Sequence, residues 1–151
     1  MSNILFVCTG NTCRSPMAAA LLKEKAHDVN VKSAGLFVIC ENEPANEKAR
    51  HVLEEKGIDA AHHATALNQD LVGWADLILT MTEQHKQLLL QDFPTAAGKV
   101  HTLKAYVASE SSDKPLSTDI TDPFGGSIAQ YRETLSELES LIDRLIAKRS
   151  H

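Results

Sequence analysis

The chain has 151 residues, of which 43% are apolar and 23% charged, and a formal net charge of −5. This length suits one domain with a core of its own, expected to run over residues 1–151. The acidic balance, with no bilayer-length apolar stretch and no signal-peptide pattern, speaks against nucleic-acid and membrane partners and makes the cytoplasm the expected compartment.

An apolar run, Ile4-Leu5-Phe6-Val7, predicts an opening strand over about 3–8. It enters Cys8-Thr9-Gly10-Asn11-Thr12-Cys13-Arg14-Ser15, a tight loop with one Gly and one Asn. Ser15 as N-cap and Pro16 at the first helical position predict a helix over 16–27, with Met17, Leu21 and Leu22 facing the core. Val29 to Ala34 alternates like a second strand and stops at Gly35. A loop over 36–43, containing Cys40, precedes a helix from Pro44 through Lys56. Its core face is Ala45, Ala49, Val52 and Leu53, and Gly57 is its stop.

Residues 58–68 look irregular, and Asn68 to Val72 starts a short helix. The nearly continuous apolar run from Ala75 to Met81 predicts a central strand covered on both faces. Thr82 caps a helix over 83–92, which Phe93-Pro94 ends, and Lys99 to Leu103 forms a short fourth strand. Beyond a polar loop, Ser109 to Pro115, Ser127 and Gln130 have capping-box spacing. Ile128, Tyr131, Leu135, Leu138, Leu141, Ile142 and Leu145 then repeat at helical spacing, the stripe of a helix laid along one face of a sheet.

Strands alternating with helices imply an α/β fold, a parallel sheet with helices on both faces. Ligands of such sheets sit beyond the C-terminal strand ends, where the 8–15 loop lies. Three cysteines, at 8, 13 and 40, make no disulfide framework, and the seven histidines are not at zinc-ligand spacing around them. No metal and no cofactor is expected, and His62-His63 reads as a solvated loop pair.

A strand-loop-helix aims backbone N–H groups and a positive helix end at one point, which suits an anion. Here the loop starts on a thiol, Cys8, and ends on a guanidinium, Arg14. A phosphate cradled by the amides of Thr9 to Ser15 would place its phosphorus beside the Cys8 sulfur. Arg14 would grip two phosphate oxygens with its planar fork. The amides, Arg14, the helix end and a hydrogen bond from Ser15 favour the thiolate, the nucleophilic form.

The stretch from Cys8 to Pro16 followed by Met17-Ala18, with Ser33-Ala34-Gly35 and a late Asp-Pro, resembles the signature of the low-molecular-weight protein tyrosine phosphatases along the whole chain. The resemblance implies a three-layer domain with a four-stranded parallel sheet and the phosphate loop after strand 1. It also implies a metal-free phosphatase with a phosphocysteine on Cys8 and Asp122 as general acid. The residues agree: a leaving group needs a proton, no histidine is near the loop in sequence, and Asp122-Pro123 sits in a Gly-flanked loop. Asp119 is the competing acid.

Two departures from the tyrosine-directed pattern concern the substrate. The fifth loop position is Thr12 where an aliphatic residue is usual, and Asp122-Pro123 is followed by Phe124-Gly125-Gly126 in place of two tyrosines. Both features resemble the protein-arginine phosphatase branch. Thr12 and Phe124 are therefore the expected specificity residues, phosphorylated proteins the expected substrates and a protein arginine kinase the opposing partner. The alternative is a phosphotyrosine phosphatase. Arsenate reduction needs further redox cysteines, and none follows Cys40. A non-catalytic phosphate-binding module needs neither thiol nor acid, and both candidates are present. Cys8 and Cys13 are expected to form a reversible protective disulfide, the alternative being a buried supporting role for Cys13. A monomer is expected.

Overall fold

The computed structural model describes residues 2–108 and 119–149. Four strands, β1 (Ser2–Cys8), β2 (Val29–Gly35), β3 (Leu77–Thr80) and β4 (Val100–Thr102), form a parallel sheet in the order β2-β1-β3-β4. Their C-terminal ends come level: Cys8 pairs with Gly35, Val7 with Thr80, and Thr80 with Thr102.

β1 is central, and its apolar run is unbroken because both of its faces are covered. Ile4, Phe6 and Cys8 pack beneath α1 (Arg14–Lys25), α2 (Glu47–Glu55), α5 (Leu103–Ala108) and α6 (Ile128–Arg149). Leu5 and Val7 pack on the opposite face beneath α3 (Gln69–Trp74) and α4 (Glu83–Asp92). The helix after β1 and the helix after β3 thus lie on opposite faces. The crevice between these strands is the topological switch point where such sheets bind ligands.

α6 follows its predicted stripe, burying Tyr131, Leu135, Leu138, Leu141, Ile142 and Leu145. Each such large apolar side chain contributes about 1.5–3 kcal/mol by leaving water. The capping box forms: Ser127 N–H donates to Gln130 Oε1 at 2.8 Å, and Gln130 N–H to Ser127 Oγ at 3.3 Å. Among the described residues no helix is long and apolar enough to cross a membrane.

Three local expectations are corrected. The second helix starts at Glu47, not Pro44, because Asn46 caps it by accepting from Lys48 N–H. Gly57, at φ +72, ends it as expected. Leu103–Ala108 is helical, a segment too short for a periodic signal. The first helix begins at Arg14 with Cys13 in the N-cap position and no side-chain cap, so Ser15 lies inside it. The polar loop Ser109 to Pro115 lies outside the described residues.

Candidate active site

Cys8 ends β1 with 3% of its surface exposed. The loop that follows is held from outside by its carbonyls. Those of Cys8, Thr9, Asn11, Thr12 and Cys13 accept from Leu36 N, Phe37 N, His62 Nε2, Asn46 N and Met17 N. With these oxygens turned outward, the loop amides face inward and meet no protein acceptor among the described residues. That is an anion cradle.

Asn11 keeps the shape. Its φ is +58, a left-handed conformation that asparagine tolerates better than most residues. Its side chain is wholly buried and fully used, donating to Ser15 Oγ at 2.8 Å and Ser33 Oγ at 2.9 Å and accepting from Thr65 N at 2.9 Å. Gly35 closes the packing, since a Cβ there would lie 2.7 Å from Thr9 O and 2.9 Å from Asn11 N. This accounts for the Ser33-Ala34-Gly35 stretch.

Ser15 Oγ lies 2.8 Å from Cys8 Sγ. It accepts from Asn11 and keeps its own proton available for the sulfur, a donation that would stabilise a thiolate. Arg14 is 5% exposed and held at both arms of its fork: Nη1 donates to Ile120 O at 2.9 Å, and Nη2 faces Asp122 Oδ2 at 3.5 Å. The Asp122 side chain is about half exposed, and its Oδ1 accepts from Phe124 N at 3.0 Å in an Asx turn. Asp119 points elsewhere, accepting from Glu83 N at 2.8 Å at the start of α4.

These groups line one cleft of about 350 Å³. Cys8, Thr9, Gly10, Thr12, Cys13, Arg14 and Asp122 form its floor and walls, and Phe37, Ile39, Glu43 and Phe124 its mouth. The exposed large apolar side chains among the described residues are Phe37, Ile39 and Phe124, all at this mouth. Cys13 is buried, with Sγ 3.5 Å from the Tyr131 hydroxyl. Burial pushes the Cys13 thiol up, against the Tyr131 hydrogen bond, and burial likewise raises Tyr131. Cys40 is exposed.

Two histidines missed by the sequence reading touch the loop. His62 is half-buried, in contrast to the solvated pair expected, and its Nε2 lies 2.6 Å from Asn11 O; His63 is exposed. Burial lowers the pKa of His62, against the Asn11 hydrogen bond. His85, on α4, reaches Thr9 Oγ1 at 2.8 Å. The parallel sheet was the available signal, because it brings residues after β2 and β3 beside a loop after β1.

A thiol at a switch point, an amide cradle, a forked cation and a half-exposed carboxylate define a cysteine-dependent enzyme acting on phosphate esters or amides. The family model for low molecular weight phosphotyrosine protein phosphatases matches residues 3–150, and the chain belongs to that family. It is a phosphoprotein phosphatase. The protein-arginine-phosphatase of Geobacillus stearothermophilus is 51% identical over 146 residues, 96% of this chain and 94% of that protein. The protein-arginine-phosphatase of Bacillus subtilis (strain 168) is 46% identical over 147 residues, 95% and 93% of the two chains. A solved structure of a cysteine-to-serine mutant of the arginine phosphatase YwlE, with a phosphorylated active-site serine, superimposes with a TM-score of 0.89. Its identity is 45%, over 97% of this chain and 94% of that one.

Proposed function

We propose that this enzyme removes phosphate from phosphoarginine residues of proteins, with Cys8 as nucleophile, Arg14 as phosphate clamp and Asp122 as proton donor. The Cys8 thiolate attacks phosphorus as the phosphorus–nitrogen bond breaks, and Asp122 delivers a proton to the departing guanidine nitrogen. Water then attacks the phosphocysteine and the sulfur–phosphorus bond breaks. Asp122, now ionised, takes the water's proton, and the released phosphate leaves Cys8 as the thiolate. The loose transition state places its charge on equatorial oxygens, within reach of the loop amides and the Arg14 fork.

The observation that carries the substrate assignment is Thr12, a polar side chain in the cleft that also holds Arg14 and Asp122. A hydroxyl there suits a planar guanidinium with N–H groups better than a phenol ring. The likeness to the two protein-arginine-phosphatases supports the same reading. A second reading, phosphotyrosine hydrolysis, is favoured by Phe37 and Phe124 at the mouth, which offer faces for an aromatic ring. Kinetics on matched phosphoarginine and phosphotyrosine peptides decide between them, with Thr12→Ile and Cys8→Ser alongside. The expected result is a preference for phosphoarginine that Thr12→Ile erodes, and no turnover in Cys8→Ser. Equal phosphotyrosine efficiency in the parent, unchanged by Thr12→Ile, would refute the arginine assignment.

The enzyme on this reading works as a single-domain monomer in the cytoplasm, opposed by a protein arginine kinase. Under peroxide, Cys8 is oxidised to the sulfenic acid, and attack by the Cys13 thiol releases water and forms the protective disulfide. Inactivation by peroxide that dithiothreitol fails to reverse would count against that pairing.

A further inference from the structure

His85 sits in the first turn of α4 with only 5% of its surface exposed, yet it reaches the wall of the cleft. Its Nε2 lies 2.8 Å from Thr9 Oγ1, the side chain next to the nucleophile. The other ring nitrogen, Nδ1, is buried and has no hydrogen-bond partner among the described residues. A buried N–H without an acceptor is less tolerable than a bare lone pair, so the ring proton belongs on Nε2. His85 therefore donates and Thr9 Oγ1 accepts. Burial, aided by the Arg14 guanidinium, pushes His85 down to about 4 against the pull of Asp122 and Asp119, so the ring is neutral near pH 7. Thr9 keeps one proton and one lone pair on an oxygen whose position is fixed. It lines the cleft with Cys8, Arg14, Thr12 and Asp122.

We propose that His85 is a positioning residue that holds the Thr9 hydroxyl as a recognition group for a phosphorus–nitrogen linkage, donating to a phosphoryl oxygen and accepting from the neighbouring guanidinium N–H. The inference rests on the phosphoarginine reading above. A phosphoguanidinium presents an oxygen and an N–H side by side, matching the donor and acceptor left on Thr9. An aryl phosphate presents the oxygen and then a carbon ring, leaving the acceptor unused. Without His85, rotation about the Thr9 Cα–Cβ bond would turn the methyl or the hydroxyl toward the cleft with similar ease.

The test measures kcat/KM on matched phosphoarginine and phosphotyrosine peptides for the parent, Thr9→Val, His85→Phe and the double variant, with thermal melting to confirm folding. Thr9→Ser and His85→Gln serve as conservative rescues. The arginine-over-tyrosine ratio should fall about tenfold in each single variant, the worth of one hydrogen bond, and no further in the double. Both rescues should recover most of it. A ratio unchanged in folded variants, or a double variant whose loss is the product of the singles, overturns the inference alone. If the parent fails on phosphoarginine, the reading it rests on falls as well. Should His85→Phe not fold, the exposed Thr9→Val decides by the same ratio.

Discussion

Beneath the floor of the cleft Asn11 is wholly buried and bonded through every polar atom of its side chain, whereas at the mouth Ile39 is 98% exposed. The floor is over-determined: its carbonyls and its left-handed residue are tied to other parts of the fold, and its serine to Cys8 and Asn11. The mouth is mostly apolar, open and drawn from the 36–43 and 119–126 segments. The difference follows from what each part must recognise. A phosphoryl group in transfer has one geometry and rewards preorganised dipoles. The proteins that carry it have many shapes, and a mouth of exposed side chains makes few demands on them.

The comparison breaks first at Arg14. Arg14→Lys keeps the charge but loses the fork that serves Ile120 and Asp122 together, and steady-state kinetics should show kcat/KM down by about 10²–10³-fold. A loss below tenfold would mean that charge alone suffices at the floor. Gly35→Ala forces a methyl against Thr9 O and Asn11 N. Denaturant unfolding should report a loss of about 1–3 kcal/mol, with a fall in kcat, because the backbone it displaces is the cradle itself.

His85 titrates near 4 in the folded chain and near 6.5 when unfolded. Between those values the unfolded chain binds the extra proton, so this group's contribution to stability is lost as pH falls from about 6.5 to about 4 and is level below that. Melting curves of His85→Gln should decline less than the parent's across that window. The smallest effect belongs to the mouth. Phe124 is 72% exposed, and Phe124→Ala should leave the melting temperature unchanged while raising KM a few-fold. A marked drop in kcat would show that the mouth takes part in the chemistry.

What the sequence disclosed was mostly local. The β1 run, the loop that follows it, the cap at Thr82 and the stripe of α6 each declare themselves within a few residues, and each is where the pattern put it. The supports of the loop were not legible, because they join residues far apart: His62 meets Asn11 across 51 positions and His85 meets Thr9 across 76. Ser15 shows a subtler limit. Its Ser-Pro pattern suits a helix N-cap, but the hydroxyl is engaged by Cys8 and Asn11, and the helix starts at Arg14, two residues before the predicted start. No individual role for Phe37 or Ile39 was legible, since 36–43 has neither helical nor strand period.

Ile120 joins the two halves of the site through one residue. Its N–H donates to Met81 O beyond β3 and its carbonyl accepts from Arg14, both at 2.9 Å. Asp122 follows two residues later, and two residues span at most about 7 Å. The carboxylate is thus on a short leash pegged to the arginine it faces. The position of the Asp122 carboxylate is therefore set at this peg, beside the guanidinium it faces.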